Sequence, residues 1–340
     1  MTQDRRQTTD DGGQIAIAMP RRVVLLVCCL LSSVVGLLSS AVCAAELAHY
    51  DLPSGAYPHD VAPARDGAVW YSDQRHGALG RLDPRIGKVD QLALGKGSAP
   101  HGVIVGPDGA AWLTDSGQNA IVRADPATRT VKVFPLPKAF ADVDLNTPVF
   151  DTRGVLWFTG QAGAYGRVDK DSGKVEAWRA PKGPGPYGIT ATPSGDVWYA
   201  SLAGDHIARI DPVTGTATVV EPPKPGVGPR RIWSDSKGML WVSFWHAGAV
   251  GRYDPTAKIW KTWSLPKSKS GCYAVYVDDK DRVWLTDWLA NAIVRFDPAT
   301  EAFASFANDR KNANIRQLAG RPGEVWGGES GISRLAVVRE

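Results

Sequence analysis

Two histidines stand eleven residues ahead of a tryptophan, His59 before Trp70 and His101 before Trp112. Three residues after the same tryptophans come Asp73 and Asp115. An imidazole can take a proton near neutrality. Carboxylate oxygens suit hard cations such as Mg²⁺ or Ca²⁺. The two offsets recur at five more tryptophans. The leading position holds His59, His101, Asn146, Tyr187, Arg230, Tyr273 and Ile315, and the trailing one holds Asp73, Asp115, Gly160, Ser201, Phe244, Asp287 and Glu329. With the series closed into a ring, Asp287, Glu329, Asp73 and Asp115 are consecutive, and His59 and His101 fall inside that arc. Tyr187, Arg230, Phe244 and Tyr273 occupy the opposite arc, with Trp245 and Trp288 beside them. His76, His206 and His246 follow in the adjoining loops. Taken singly, each of these residues reads as a strand end that satisfies backbone groups. Taken together, His59, Asp73, His101 and Asp115 mark a candidate site.

The elements that must position them follow from the tryptophans. Trp70, Trp112, Trp157, Trp198, Trp241, Trp284 and Trp326 are spaced by 41 to 45 residues. Each interval carries four short apolar runs divided by Gly, Pro, Asn and Asp, best seen over residues 99–137. Such punctuation marks antiparallel strands. A period near forty with four strands predicts an all-β fold, a seven-bladed β-propeller of four-stranded antiparallel blades. The last copy has three strands, and residues 46–53 resemble a fourth strand. The N-terminal strand is therefore expected to join the last blade and close the ring. In a propeller the first strand of a blade is innermost and antiparallel to the second. The two offset positions then meet on one face near the axis. The tryptophans read as packing between sheets. An arginine repeated on the third strands, from Arg81 to Arg334, reads as a cap on turns between blades.

Composition narrows the partners. The chain has 340 residues, 44% hydrophobic and 22% charged, with a net charge of +4. No basic run supports nucleic-acid binding. Arg21 and Arg22 precede an apolar stretch over residues 23–38 and then small residues to Ala45. That order predicts a signal peptide over residues 1–45. The propeller then spans residues 46–340 of an exported, periplasmic protein. Only Cys272 of the four cysteines lies beyond the leader, so no internal disulfide and no thiolate metal site is expected. The zinc-protease, phosphate-loop and serine-hydrolase motifs are missing from the sequence. A monomer acting on a small molecule or cyclic peptide, with neither nucleic acid nor membrane as partner, is the expectation.

The units Pro100-His101-Gly102-Val103 with Trp112-Leu113-Thr114-Asp115, and Pro186-Tyr187-Gly188-Ile189 with Trp198-Tyr199, resemble those of the virginiamycin B lyase (streptogramin lyase) family. The resemblance covers residues 46–340. It implies Mg²⁺-dependent elimination that opens a cyclic ester of the streptogramin B type. It also implies His59 as a substrate-binding residue, His101 as the base and Asp115 as a metal ligand. The family's other metal carboxylate falls on Ala99, which cannot bind a cation, so Asp73 or Glu329 would have to stand in. Tyr187, Arg230 and Tyr273 would contact substrate. Two other readings remain: a non-catalytic propeller that binds peptide or glycan through the aromatic side, and a metal-dependent lactonase.

Overall fold

Short strands joined by tight turns, several of them closed by glycine, build the molecule. Gly109, for example, takes φ +77° in the Pro107-Asp108-Gly109 turn, a region open to glycine at no steric cost. The computed structural model describes residues 45–267 and 269–340. The leader expected over residues 1–45 lies, except for Ala45, outside the described residues. The described strands form seven four-stranded antiparallel sheets arranged as blades. The innermost strands are Pro58–Pro63, Pro100–Val105, Leu145–Phe150, Pro186–Ala191, Pro229–Ser234, Cys272–Val277 and Ile315–Arg321. The second strands are buried along their whole length except at the first residue of the last one.

The strand Glu46–Asp51 pairs with Arg334–Arg339, in register from Glu46 opposite Arg339 to Asp51 opposite Arg334. It completes the last blade, as the sequence predicts, and covers an edge that would otherwise lie open. Leu335 and Val337 beneath it are fully buried. Deleting residues 46–53 is expected to lower the melting temperature by about 10 °C or more. An unchanged melting curve would refute the closure.

The repeated tryptophans are core residues, and five of the seven have a tethered nitrogen, those of Trp70 and Trp198 having no partner among the described residues. Trp157, Trp241 and Trp284 each donate from Nε1 to an aspartate six residues earlier, Asp151, Asp235 and Asp278. The repeated arginines meet the expectation in part. Arg81, Arg123 and Arg209 pair with Asp66, Asp108 and Asp196 on the hairpin turn of their own blade. These three brace turns within their own blades, whereas Arg167 donates to the Pro212 carbonyl on the next blade's turn and Arg295 pairs with Glu340 of the last blade, as the sequence predicts.

One irregularity decides where the site residues point. In all seven blades the register between first and second strand shifts near its start. In the first blade Pro58 faces Asp73 while Val61 faces Tyr71. One extra residue on the inner strand makes this a bulge, which re-aims side chains.

Candidate active site at the axial mouth

The bulge lets consecutive residues of an inner strand both serve the axis. His59 and Asp60 occupy it in the first blade, and Arg230 and Arg231 in the fifth. Hydroxyls two residues after the tryptophans hold these segments. Ser72 accepts from the Asp60 N–H at 3.0 Å and donates to the His101 carbonyl of the next blade at 2.5 Å. Thr114 does the same for Gly102 and the Asn146 carbonyl, and Ser243 for Arg231 and the Tyr273 carbonyl. These blades thereby fix the backbone under their neighbours' site residues.

His59 and His101 come together with ring centroids 3.7 Å apart. Both are buried, at 3% and 4% exposure. His59 Nδ1 lies 2.8 Å from Asp60 Oδ1. A carboxylate there makes Nδ1 the donor and leaves the His59 Nε2 lone pair without a partner among the described residues. His101 Nε2 lies 3.3 Å from Asn146 Nδ2. Thr147 Oγ1 donates to Asn146 Oδ1 at 2.7 Å, which orients the amide so that its NH₂ faces the histidine. His101 Nδ1 is sealed from solvent and unpartnered.

Asp60 joins Arg231 across the axis, Oδ1 to Nη2 at 3.0 Å and Oδ2 to Nη1 at 3.4 Å. Arg231 also donates to Thr147 Oγ1 at 2.7 Å. Beneath this ion pair runs an axial cavity of about 300 Å³, walled by Val61, Val103, Val149, Ile189, Ile232 and Val275 among others. The pair separates a polar mouth from an apolar channel. At the mouth Tyr187 and Tyr273 share a 2.6 Å hydroxyl contact, Arg230 donates to Tyr187 at 2.7 Å, and Arg316 approaches Tyr273 at 3.3 Å.

Charge follows from this geometry. Burial pushes His59 well below the ordinary histidine value, helped by Arg316, Arg231 and Arg230. Burial likewise lowers His101, with His59 adding to the effect. Both imidazoles are neutral near pH 7. Burial raises Tyr187. Burial also resists ionisation of Tyr273, but Arg230, Arg231 and Arg316 outweigh it and lower the phenol's pKa. Burial pushes the Cys272 thiol up, so this cysteine packs as an inert apolar residue.

The structure brings His59, His101, Tyr187, Arg230 and Tyr273 to one mouth. It does not bring Asp73, Asp115 and Glu329 to them as a metal site. Asp115 accepts from Ala99 N, Gln118 N, Ser98 Oγ and Gln118 Nε2. Asp73 accepts from Tyr57 N and Gln91 and contacts His76. Glu329 is held by Arg334 and Asn308. These carboxylates tie down loops, and their lone pairs are occupied. Among the described residues the group that can hold a metal ion is instead His59, Asp60 and His101, with one ligand atom each within 4.8 Å of the others. That donor set does not fit Mg²⁺ or Ca²⁺. Hard cations take mainly oxygen ligands, whereas the group offers two imidazoles and one carboxylate already engaged by Arg231 and His59. Such a set suits a borderline transition ion.

Asp60, Arg231 and Arg316 are the site residues missed by reading the repeat. They sit ten residues ahead of Trp70, Trp241 and Trp326. Regular alternation would turn that position away from its neighbour's face. A charged residue at the start of an inner strand was the available signal.

The family model for the virginiamycin B lyase family matches residues 7–270 and 95–340. The chain belongs to the virginiamycin B lyase family. Among solved structures it is similar to the selenomethionine-substituted virginiamycin B lyase of Staphylococcus aureus. That match has 20% identity and a TM-score of 0.80 over 87% of this chain and 99% of that one. A catalytically inactive variant of the Staphylococcus aureus enzyme, with quinupristin, matches at 22% identity and TM-score 0.79 over 87% and 99%. A streptogramin B lyase structure matches at 21% identity and TM-score 0.79 over 87% and 97%. Likeness at this identity shows the shared propeller fold. No curated protein matches the chain.

Proposed function

We propose that this family member is a carbon–oxygen lyase that opens an ester of a small molecule or cyclic peptide by elimination. The observation that carries the reading is a buried, neutral His59 whose Nδ1 is held by Asp60 at 2.8 Å. A neutral imidazole oriented by a carboxylate is a general base. His59 is the better candidate than His101, whose Nδ1 is sealed from solvent and whose Nε2 faces Asn146. His59 Nε2 takes the proton alpha to a carbonyl. That C–H electron pair becomes a C=C bond as the C–O bond beta to the carbonyl breaks, and the ester oxygen leaves as a carboxylate. Atoms are conserved, so a cyclic ester gives a linear isomer. Arg230 and Arg316, which reach the phenols of this mouth, supply positive charge to steady the negative charge that develops. His101 packs on His59 and fixes its ring. No step needs Mg²⁺ or Ca²⁺. The order of basic, apolar and small residues before position 46 supports export to the periplasm.

Incubation with a streptogramin B, with and without chelator, tests the reading by mass spectrometry. A linear product of unchanged mass that survives chelation is the expected result. A product heavier by one water would favour a lactonase. Loss of turnover on chelation would assign an ion to His59, Asp60 and His101. Absence of any product from cyclic esters would overturn the lyase reading in favour of a binding propeller.

A further inference from the structure

The mouth carries more positive charge than its own residues balance. Arg231 has a carboxylate partner in Asp60. Arg230 and Arg316 have none among the described residues. Arg230 donates one bond, to the Tyr187 hydroxyl, and its Nε is sealed from solvent without a partner. Its Cζ lies 3.7 Å from the Tyr273 ring centroid and 4.3 Å from that of Tyr187. Arg316 donates to Ser330 Oγ at 2.9 Å and to the Tyr57 hydroxyl at 2.5 Å. Its third hydrogen bond, at 3.3 Å, is with the Tyr273 hydroxyl, and its Cζ lies 5.2 Å from the Trp288 ring centroid. Both guanidiniums thus converge on one phenol pair, Arg230 on the Tyr187 hydroxyl and Arg316 on that of Tyr273. Each keeps unused N–H groups. With both histidines neutral, three guanidiniums face one carboxylate.

An apolar wall stands beside them. Trp288 stacks on Tyr273 at 5.0 Å and 18°. Trp245 meets both edge-on, 5.8 Å from Tyr273 and 6.1 Å from Trp288. Both indoles are half-buried, so each leaves surface for a ligand. Unpaired, partly desolvated guanidinium forks select carboxylates, and flat aromatic faces select flat apolar groups.

We infer that Arg230 and Arg316 form a carboxylate-binding site and that the natural substrate is an anion carrying a free carboxylate next to an aromatic group. The inference rests on the lyase reading only in taking the same mouth as the ligand site. Its failure is separable, because binding is read without turnover.

The test is isothermal calorimetry of the purified protein with phenylacetate, and with phenylacetamide as the neutral match. Phenylacetate is expected to bind one per chain and at least tenfold tighter than the amide, with affinity falling as salt rises. Arg230→Gln and Arg316→Gln are each expected to weaken phenylacetate at least tenfold and to leave phenylacetamide unchanged. Circular dichroism establishes that the variants fold. Should one not fold, the comparison of acid and amide on the unaltered protein decides the matter alone. Equal binding of the two probes, no binding of either, or full retention of phenylacetate binding by both folded variants would overturn the inference.

Discussion

His59→Ala is expected to lower kcat by about 10²–10⁴-fold, the usual contribution of a positioned general base, in a protein that circular dichroism shows to be folded. The loss should come with a distinctive pH profile in the unaltered protein. A general base works in its neutral form. Burial and three nearby guanidiniums hold His59 below the ordinary histidine value. Its neutral form therefore persists as pH falls through about 6.5, and activity should hold there, declining only in more acid solution. A free imidazole would lose half its base form at that pH. His101→Ala should cost less, because its part is to pack at 3.7 Å against the base. If the large loss falls on His101→Ala and not on His59→Ala, the two roles are exchanged.

Asp60→Ala is expected to destabilise the protein by about 3–5 kcal/mol, because it leaves the buried Arg231 charge without its partner. Asp60 and Arg231 are 1% and 4% exposed, so water cannot substitute for the lost carboxylate. The pair also links inner strands on opposite sides of the ring, far apart in sequence. Replacing both partners with apolar residues, as in Asp60→Leu with Arg231→Met, should recover much of the stability, since no charge then remains to be solvated. The double variant should still lack turnover, because His59 loses the oxygen that holds its Nδ1. Stability and activity part company in that variant. Recovery of both together would show that Asp60 has no role in orienting the imidazole.

Much of the architecture was legible in the repeat. Seven tryptophans at near-constant spacing imply seven blades, and the strand-like start at residues 46–53 implies the closure. The leading position also found His59, His101, Tyr187, Arg230 and Tyr273, which meet at the mouth. The trailing position was less informative. Asp115 has the right chemistry for a cation, but its donors are the Ala99 and Gln118 backbone N–H groups and the Ser98 and Gln118 side chains. Backbone donors leave no mark in a sequence. The serine or threonine one position earlier had a similar fate. Its value lies in a bond to the next blade's carbonyl, which only the folded ring brings within reach.

The bulge was the larger omission. Strict alternation assigns consecutive residues of a strand to opposite faces. On that rule His59 would face the site and Asp60 would not. One extra residue per inner strand breaks the rule in each blade, and it breaks it where charge accumulates. Asp60, Arg231 and Arg316 therefore join the site from the position after the expected one. They also change its chemistry. A mouth read as a carboxylate-rich metal site becomes one dominated by guanidiniums and neutral imidazoles.

The chemistry of this mouth depends on the charge and tautomer of two imidazoles, and both are directly measurable. The protein has six histidines, few enough for their side chains to be resolved after isotopic labelling. A nitrogen-15 NMR titration would read the charge and tautomer of each ring. His59 is predicted to stay neutral, with its proton on Nδ1, well below pH 6.5, and His101 to remain neutral alongside it. A His59 ring that takes up a second proton at or above pH 6.5, or that carries its single proton on Nε2, would contradict the assignment of this mouth as a base-driven elimination site.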